Sequence, residues 1–178
     1  GTKKNIWIGT DEGIYIYAYA TETFTYFDLT TPNNVRITSI VNHILQDKDG
    51  NLWFSTNGQG LFRYNLSKNY LEQYEFTSAF GIVASTMADS DNQIWALTNQ
   101  GESGVYKLNK AENKFEPFGL LYNAGNHHSQ ALAMLEDSEQ TLWLGTWECG
   151  LQKIDKYTRQ TTTYLHPTDG KGVTHIHS

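Results

Sequence analysis

Four short stretches of this chain are variants of one pattern, and their spacing limits the fold more than any other feature. They are NIWIGTDEGIYIY from Asn5, NLWFSTNGQGLFRYN from Asn51, QIWALTNQGESGVYKLN from Gln93 and TLWLGTWECGLQKID from Thr141. Aligned on the shared tryptophan, Trp7, Trp53, Trp95 and Trp143 lie 46, 42 and 48 residues apart. A period in this range marks a repeat architecture, with one supersecondary unit per copy.

The second unit shows what that element is. SIVNHILQD (39–47) is an apolar run that ends in the polar turn DKDGN. NLWFST (51–56), a Gly-containing turn, GLFRYNL (60–66), a second polar turn and YLEQYEF (70–76) follow. Strands of about six residues separated by Gly, Asn and Asp turns predict a four-stranded antiparallel meander. An aspartate stands six residues before three of the tryptophans, as Asp47, Asp89 and Asp137, and a second acid four before them, as Asp49, Asp91 and Glu139. The same turn is rebuilt in each unit.

Polarity changes across the unit. The first two strands are apolar on both faces, as in ALAML and LWLG, which suits strands sandwiched between neighbouring sheets. The fourth alternates, as in TFTYF and KFEPF, which suits an outer strand partly in water. The expected fold is therefore all-β: propeller blades in about four repeats, forming part of a larger propeller. Each quoted copy is the second and third strand of a blade, and its tryptophan packs between adjacent blades, where a large flat side chain buries most area. Helical solenoids are excluded by the alternation and by the density of Thr, Tyr and Gly turns.

The Gly-His and Trp-Asp pairs of WD repeats and the double glycine of kelch repeats do not occur. The string D-x-D-G-N-L-W-x-x-T-x-x-x-G-L-x-x-Y of residues 47–64 resembles the two-component regulator propeller repeat. EDSEQTLWLGTWECGLQKID (136–155) resembles it equally, and NIWIGTDEGIYIY matches its middle. The third unit departs: Leu97 stands where Gly9, Ser55 and Gly145 do, and its turn is longer. In that family such repeats form the periplasmic sensor of Bacteroidetes hybrid two-component system histidine kinases. The resemblance implies a periplasmic location, detection of oligosaccharides from glycan breakdown, and control of carbohydrate-use genes by a kinase elsewhere in the parent protein.

The repeats divide the chain into a partial blade over 1–29, blades over 37–76, 81–118 and 129–165, and the start of a next blade at 172–178. This arrangement suits a piece of a longer sensor. Two rivals remain open: a compact ring of four blades closed by pairing 172–178 with 5–10, and the same pairing made with a second copy, because an open edge templates another chain.

The charge balance of −6 at pH 7 gives no reason to expect nucleic acid or an anionic membrane as partner. No run approaches the ~18 apolar residues of a spanning helix, so direct membrane insertion is not expected. DKDGN resembles the start of a calcium loop, but Gly58 occupies the position that needs a glutamate. His175 and His177 share a strand face and His127 and His128 are adjacent, yet metal binding usually needs more convergent ligands than a pair. Cys149 reads as a small buried hydrophobe beside a turn. No nucleophile elbow or phosphate loop is present, so no catalytic residue, metal or cofactor is expected.

In a propeller the connections between blades and the turns joining strands two and three share one face. That face gathers 28–36, 57–60, 77–81, 101–103, 121–128, 147–149 and 165–172, the irregular segments, whereas the other receives short repetitive turns. Binding concentrates on variable loops over a rigid scaffold. Trp147 stands out, because the other copies have Asp11, Asn57 and Asn99 there. An exposed tryptophan offers a flat surface for a sugar ring, and Tyr122, Arg36, Asn126 and His128 could supply further contacts. The competing reading has Trp147 covering the central channel or packing under a loop. Two functions follow: a non-catalytic ligand-sensing module, or a scaffold for protein assembly or receptor dimerisation through other blades or a second copy.

Overall fold

The computed structural model describes residues 5–76, 81–98, 104–120, 131–147 and 150–164. Among them there are fifteen strands and no helix. The first sheet holds β1 (Ile6–Thr10), β2 (Gly13–Ala18) and β3 (Thr23–Tyr26). The second holds β4 (Val41–Gln46), β5 (Leu52–Thr56), β6 (Leu61–Asn65) and β7 (Tyr70–Tyr74). The third holds β8 (Val83–Ala88), β9 (Ile94–Thr98), β10 (Gly104–Asn109) and β11 (Lys114–Leu120). The fourth holds β12 (Ala131–Glu136), β13 (Thr141–Thr146), β14 (Leu151–Asp155) and β15 (Thr161–Tyr164). Every pairing is antiparallel between strands adjacent in the chain, which is the predicted meander. Segment 172–178 and its proposed pairing lie outside the described residues.

Local chemistry explains why the turns recur. The Asp47 carboxylate accepts the backbone N–H groups of Asp49 and Asn51 at 3.0 and 2.8 Å, closing the turn between the first two strands. Asp89 does the same for Asp91 and Gln93, and Asp137 for Glu139 and Thr141. This carboxylate is occupied by its own turn, so DKDGN is a turn and not a calcium loop. Three residues past Trp7, Trp53 and Trp143, Thr10, Thr56 and Thr146 donate to the carbonyls of Gly13, Gly60 and Gly150 across the next turn. Gly60 needs to be glycine: its φ is +77° and a Cβ would strike the Tyr74 carbonyl.

The sheets stack face to face, and three apolar cores fill the spaces between them. Phe54, Leu52 and Phe62 of the second sheet pack with Ile14, Trp7 and Ile16 of the first. Trp53 and Leu61 of the second meet Ile94, Tyr106 and Leu108 of the third. Trp95 and Leu97 of the third meet Leu142, Leu144 and Ile154 of the fourth. The first strand of the third sheet is drawn against the first two strands of the second: the Asn42 amide of β4 donates to the Val83 carbonyl at 2.9 Å, and the hydroxyls of Ser55 in β5 and Thr86 are 3.2 Å apart. This is the arrangement of successive β-propeller blades.

Two expectations need correction. Trp53 and Trp95 are buried, but Trp7 and Trp143 are only partly so. Each tryptophan faces the next sheet, and among the described residues no further sheet covers Trp143, which rests on Tyr164 of its own sheet at 5.9 Å. The first strand of a blade is also not buried on both faces: Asn42 and Gln46 of β4 are exposed, whereas β5 and β9 are buried along their whole length. As the inner edge strand, β4 has no neighbour on its axial side.

The departure at Leu97 has a compensating partner. Gly9 comes so close to β4 that a Cβ would meet Val41 at 2.9 Å. Val83 and Ala131 take the place of Val41 in the later blades, each opposite the threonine that ends the second strand. The enlarged Leu97 packs in one core with the smallest of the three, Ala131. The smaller partner makes room for the larger side chain at that junction.

Candidate functional site

The face that carries the connections is held by backbone and side-chain bonds among its own loops. Gln59, in the β5–β6 turn, accepts from the backbone N–H groups of Thr38 and Ser39 at 2.9 and 3.0 Å and donates to the Arg36 carbonyl at 2.9 Å. The N–H of Gly60, in the same turn, donates to the Gly81 carbonyl at 2.7 Å. The turn is thereby tied to the connection before its blade and to the one after it.

Of the residues singled out by sequence, Arg36 lies in the first of these connections, in a 2.7 Å ion pair with Asp28; both side chains are exposed. Trp147 lies in the turn after β13 and is 39% exposed. Tyr122, Asn126 and His128 lie outside the described residues, as do His127, His175, His177 and Cys149. Arg36 and Trp147 belong to different blades. Among the described residues no group of three or more His, Cys, Asp or Glu side chains could hold a metal ion.

A groove of about 520 Å³ runs along the outer edge strand β7, lined by Thr31, Pro32, Asn33, Tyr70, Glu72, Gln73 and Glu75. Its volume falls in the range of small-molecule sites. Tyr70 is 43% exposed, and Glu75 and Asn33 are exposed. Glu72 is already committed: it accepts from Arg63 at 2.6 Å, the Tyr74 hydroxyl at 2.9 Å and the Asn113 amide at 2.5 Å. Burial pushes the Tyr74 hydroxyl well above the usual tyrosine range, so it stays a donor. The groove therefore offers an aromatic ring, amides and one uncommitted carboxylate. Sequence reasoning missed it. One signal was available: Tyr70 stands at the strand-four position that Lys114 and Gln160 hold in the later blades.

The opposite face is built for structure. Lys156 is buried and donates to Asp89, Asp91 and Glu136 at 3.3, 2.9 and 2.7 Å, joining the third and fourth blades. Burial opposes its charge, and the carboxylates outweigh that, holding its pKa above the usual lysine range. Lys110 takes the same place one blade earlier, beside a 150 Å³ cavity lined by Asp47, Asp49 and Asn92. Its blade has Ala88 where the fourth has Glu136, and Lys110 remains exposed.

Residues 33–58 match the two component regulator propeller family. That segment carries the regulator propeller repeat. The matched segment spans the β4–β5 hairpin, including the Asp47 turn and Trp53. A search of curated protein sequences finds no match. Among solved structures, the chain is similar to the extracellular domain of a protein assigned as a hybrid two-component system of B. thetaiotaomicron, with TM-score 0.72 at 20% identity over 93% of the chain. A second such domain from the same organism gives 0.70 at 20% over 90%. The virginiamycin B lyase of Staphylococcus aureus gives 0.71 at 18% over 95%. The chain spans 23% and 22% of the two extracellular domains and 54% of the lyase. At these identities the likeness establishes the fold. No helix among the described residues is long and apolar enough to cross a membrane.

Proposed function

We propose that this regulator propeller is part of the periplasmic sensor of a hybrid two-component system, that it binds an oligosaccharide without catalysis, and that binding controls carbohydrate-use genes. The repeat match and the fold shared with extracellular domains of such systems support the class. The observation that carries ligand binding is the 520 Å³ groove beside β7, where the Tyr70 ring lies with the polar side chains of Asn33, Gln73 and Glu75. A sugar presents apolar faces edged with hydroxyls, and this combination of ring and hydrogen-bonding groups complements it. Trp147 adds an exposed aromatic surface on the irregular face, with Arg36 on the same face and Tyr122, Asn126 and His128 as further contacts proposed from sequence.

The experiment is calorimetric titration of the 178-residue chain with an oligosaccharide panel, repeated with Tyr70→Ala and Trp147→Ala. Binding weakened about tenfold or more by either change, with melting unaltered, supports the reading and says which surface is used. No binding by the unaltered chain, or binding that neither change affects, sinks it.

A further inference from the structure

The groove beside β7 carries a charge asymmetry that narrows what it can hold. Its described lining residues include two carboxylates, Glu72 and Glu75, and neither lysine nor arginine. The two carboxylates differ. Glu72 is neutralised by Arg63, whose guanidinium lies 2.6 Å away, and both side chains are partly buried. Glu75 is exposed and, among the described residues, has no ion-pair partner. Arg36, in the same connection as Asn33, is held by Asp28 at 2.7 Å and does not line the groove, nor does Lys68 of the turn before β7. The groove therefore has one uncompensated negative charge, in a chain whose net charge is −6.

That charge discriminates among sugars. The neutral groups of the groove suit hydroxyls of any glycan: Gln73 uses one amide N–H on the Gln59 carbonyl at 2.9 Å and keeps its oxygen as an acceptor, with the Asn33 amide and the Tyr70 hydroxyl nearby. A uronate or sulfated sugar would bring a second negative charge against Glu75 with no cation to offset it, and such a clash is a means of rejecting a ligand. A neutral ring that covers Glu75 strips water from the carboxylate and gives no charged partner in return. A protonated amine supplies that partner through a charge-assisted hydrogen bond.

Resting on the reading of this groove as an oligosaccharide site, we propose that its ligand is a glycan bearing a free amino group, of the glucosamine type, and that Glu75 selects it. Glu75 accepts from the ammonium, while Tyr70, Asn33 and Gln73 serve the ring and its hydroxyls. An exposed ion pair is screened by water, so the preference it confers is modest, about fivefold in affinity. Acetylation of the amine removes the positive charge and the preference with it.

The test is calorimetric titration of the 178-residue chain at about pH 6, where the sugar amine is protonated, with matched trisaccharides of glucosamine, N-acetylglucosamine and galacturonic acid. The glucosamine oligomer is expected to bind about fivefold more tightly than its acetylated counterpart and the galacturonate more weakly than either, with the differences shrinking as salt is added. Glu75→Gln is expected to bring the first two affinities together, and Glu75→Lys to place galacturonate ahead of glucosamine. Both variants should melt as the parent does, because Glu75 is an exposed side chain without an ion-pair partner. Equal binding of the glucosamine and acetylated oligomers, or a preference that survives Glu75→Gln, overturns the inference and leaves oligosaccharide binding standing. The inference likewise falls alone if none of the three binds while other oligosaccharides do; if no oligosaccharide binds, the reading of the groove falls with it.

Discussion

Asp47 accepts a 2.8 Å hydrogen bond from the indole nitrogen of Trp53, six residues on. The same bond joins Asp89 to Trp95 at 3.0 Å and Asp137 to Trp143 at 2.6 Å. One carboxylate oxygen closes the turn between the first two strands, and the other anchors the ring that fills the space before the next blade. Turn formation and blade packing are thereby coupled through a single side chain, which explains why acid and tryptophan recur together.

Removing that carboxylate should be felt in both places. Asp47→Ala leaves the buried Trp53 indole N–H and two turn N–H groups without acceptors, at roughly 1–3 kcal/mol for each buried donor left unsatisfied. Asp47→Asn should cost less, because its one remaining oxygen can serve one side of the arrangement. Urea denaturation of the two variants should rank them in that order; equal stabilities would show that the indole bond contributes nothing.

The tryptophans should differ according to their neighbours. Trp95 is fully buried between blades, and Trp95→Ala should cost roughly 3–5 kcal/mol. Trp143, partly exposed, should lose roughly 1–3 kcal/mol on the same change. Equal losses in thermal and denaturant melts would contradict the packing described.

Lys156 holds three carboxylates, two of them on buried side chains. Lys156→Met should destabilise by roughly 3–5 kcal/mol, because charges are left buried without their partner. Adding Glu136→Leu should recover part of that loss. A Lys156→Met variant as stable as the parent would mean that Asp89 and Glu136 are satisfied without the ammonium.

Stability should rise with pH in two windows. Burial lowers the His43 pKa below 6.5, and its Nδ1 accepts the Thr86 N–H, a role that only the neutral ring can fill. Below 6.5 the unfolded chain takes up a proton that the folded chain resists, so stability falls as pH drops from there towards the folded value. His43→Asn should flatten this slope. At lower pH, hydrogen bonds from Trp143 and from the backbone hold Asp137 below 3.8, so its contribution is present above 3.8 and is lost as pH falls through the folded value. Denaturant midpoints measured from pH 3 to 7.5 check both; a flat profile around pH 6 would show that His43 is not neutralised by folding.

The binding surfaces make a further prediction. Tyr70→Ala and Trp147→Ala should each leave melting within about 0.5 kcal/mol of the parent, since both rings are substantially exposed. A collapsed melt for Trp147→Ala would assign that ring to packing, in line with the alternative reading of its turn.

What could be read from the sequence was whatever is decided within a few residues. An aspartate four residues before a backbone N–H, a threonine facing a glycine across a turn, and a glycine at positive φ all act locally, so the repeat announced the meander, its turns and the tryptophan's place. Trp147 and Arg36 were visible because they sit in segments that break or interrupt the pattern. The rest depended on partners far away in the chain. Alternation along a strand says which residues share a face, not whether another sheet covers it, so the partial exposure of Trp7 and Trp143 could not be foreseen. The Lys156 network draws on acids 20 to 67 residues away. The groove exists only because the connection around Asn33 lies beside Tyr70 of the next blade's outer strand. Burial and cavities are properties of the space between elements, and tertiary packing alone determines that space.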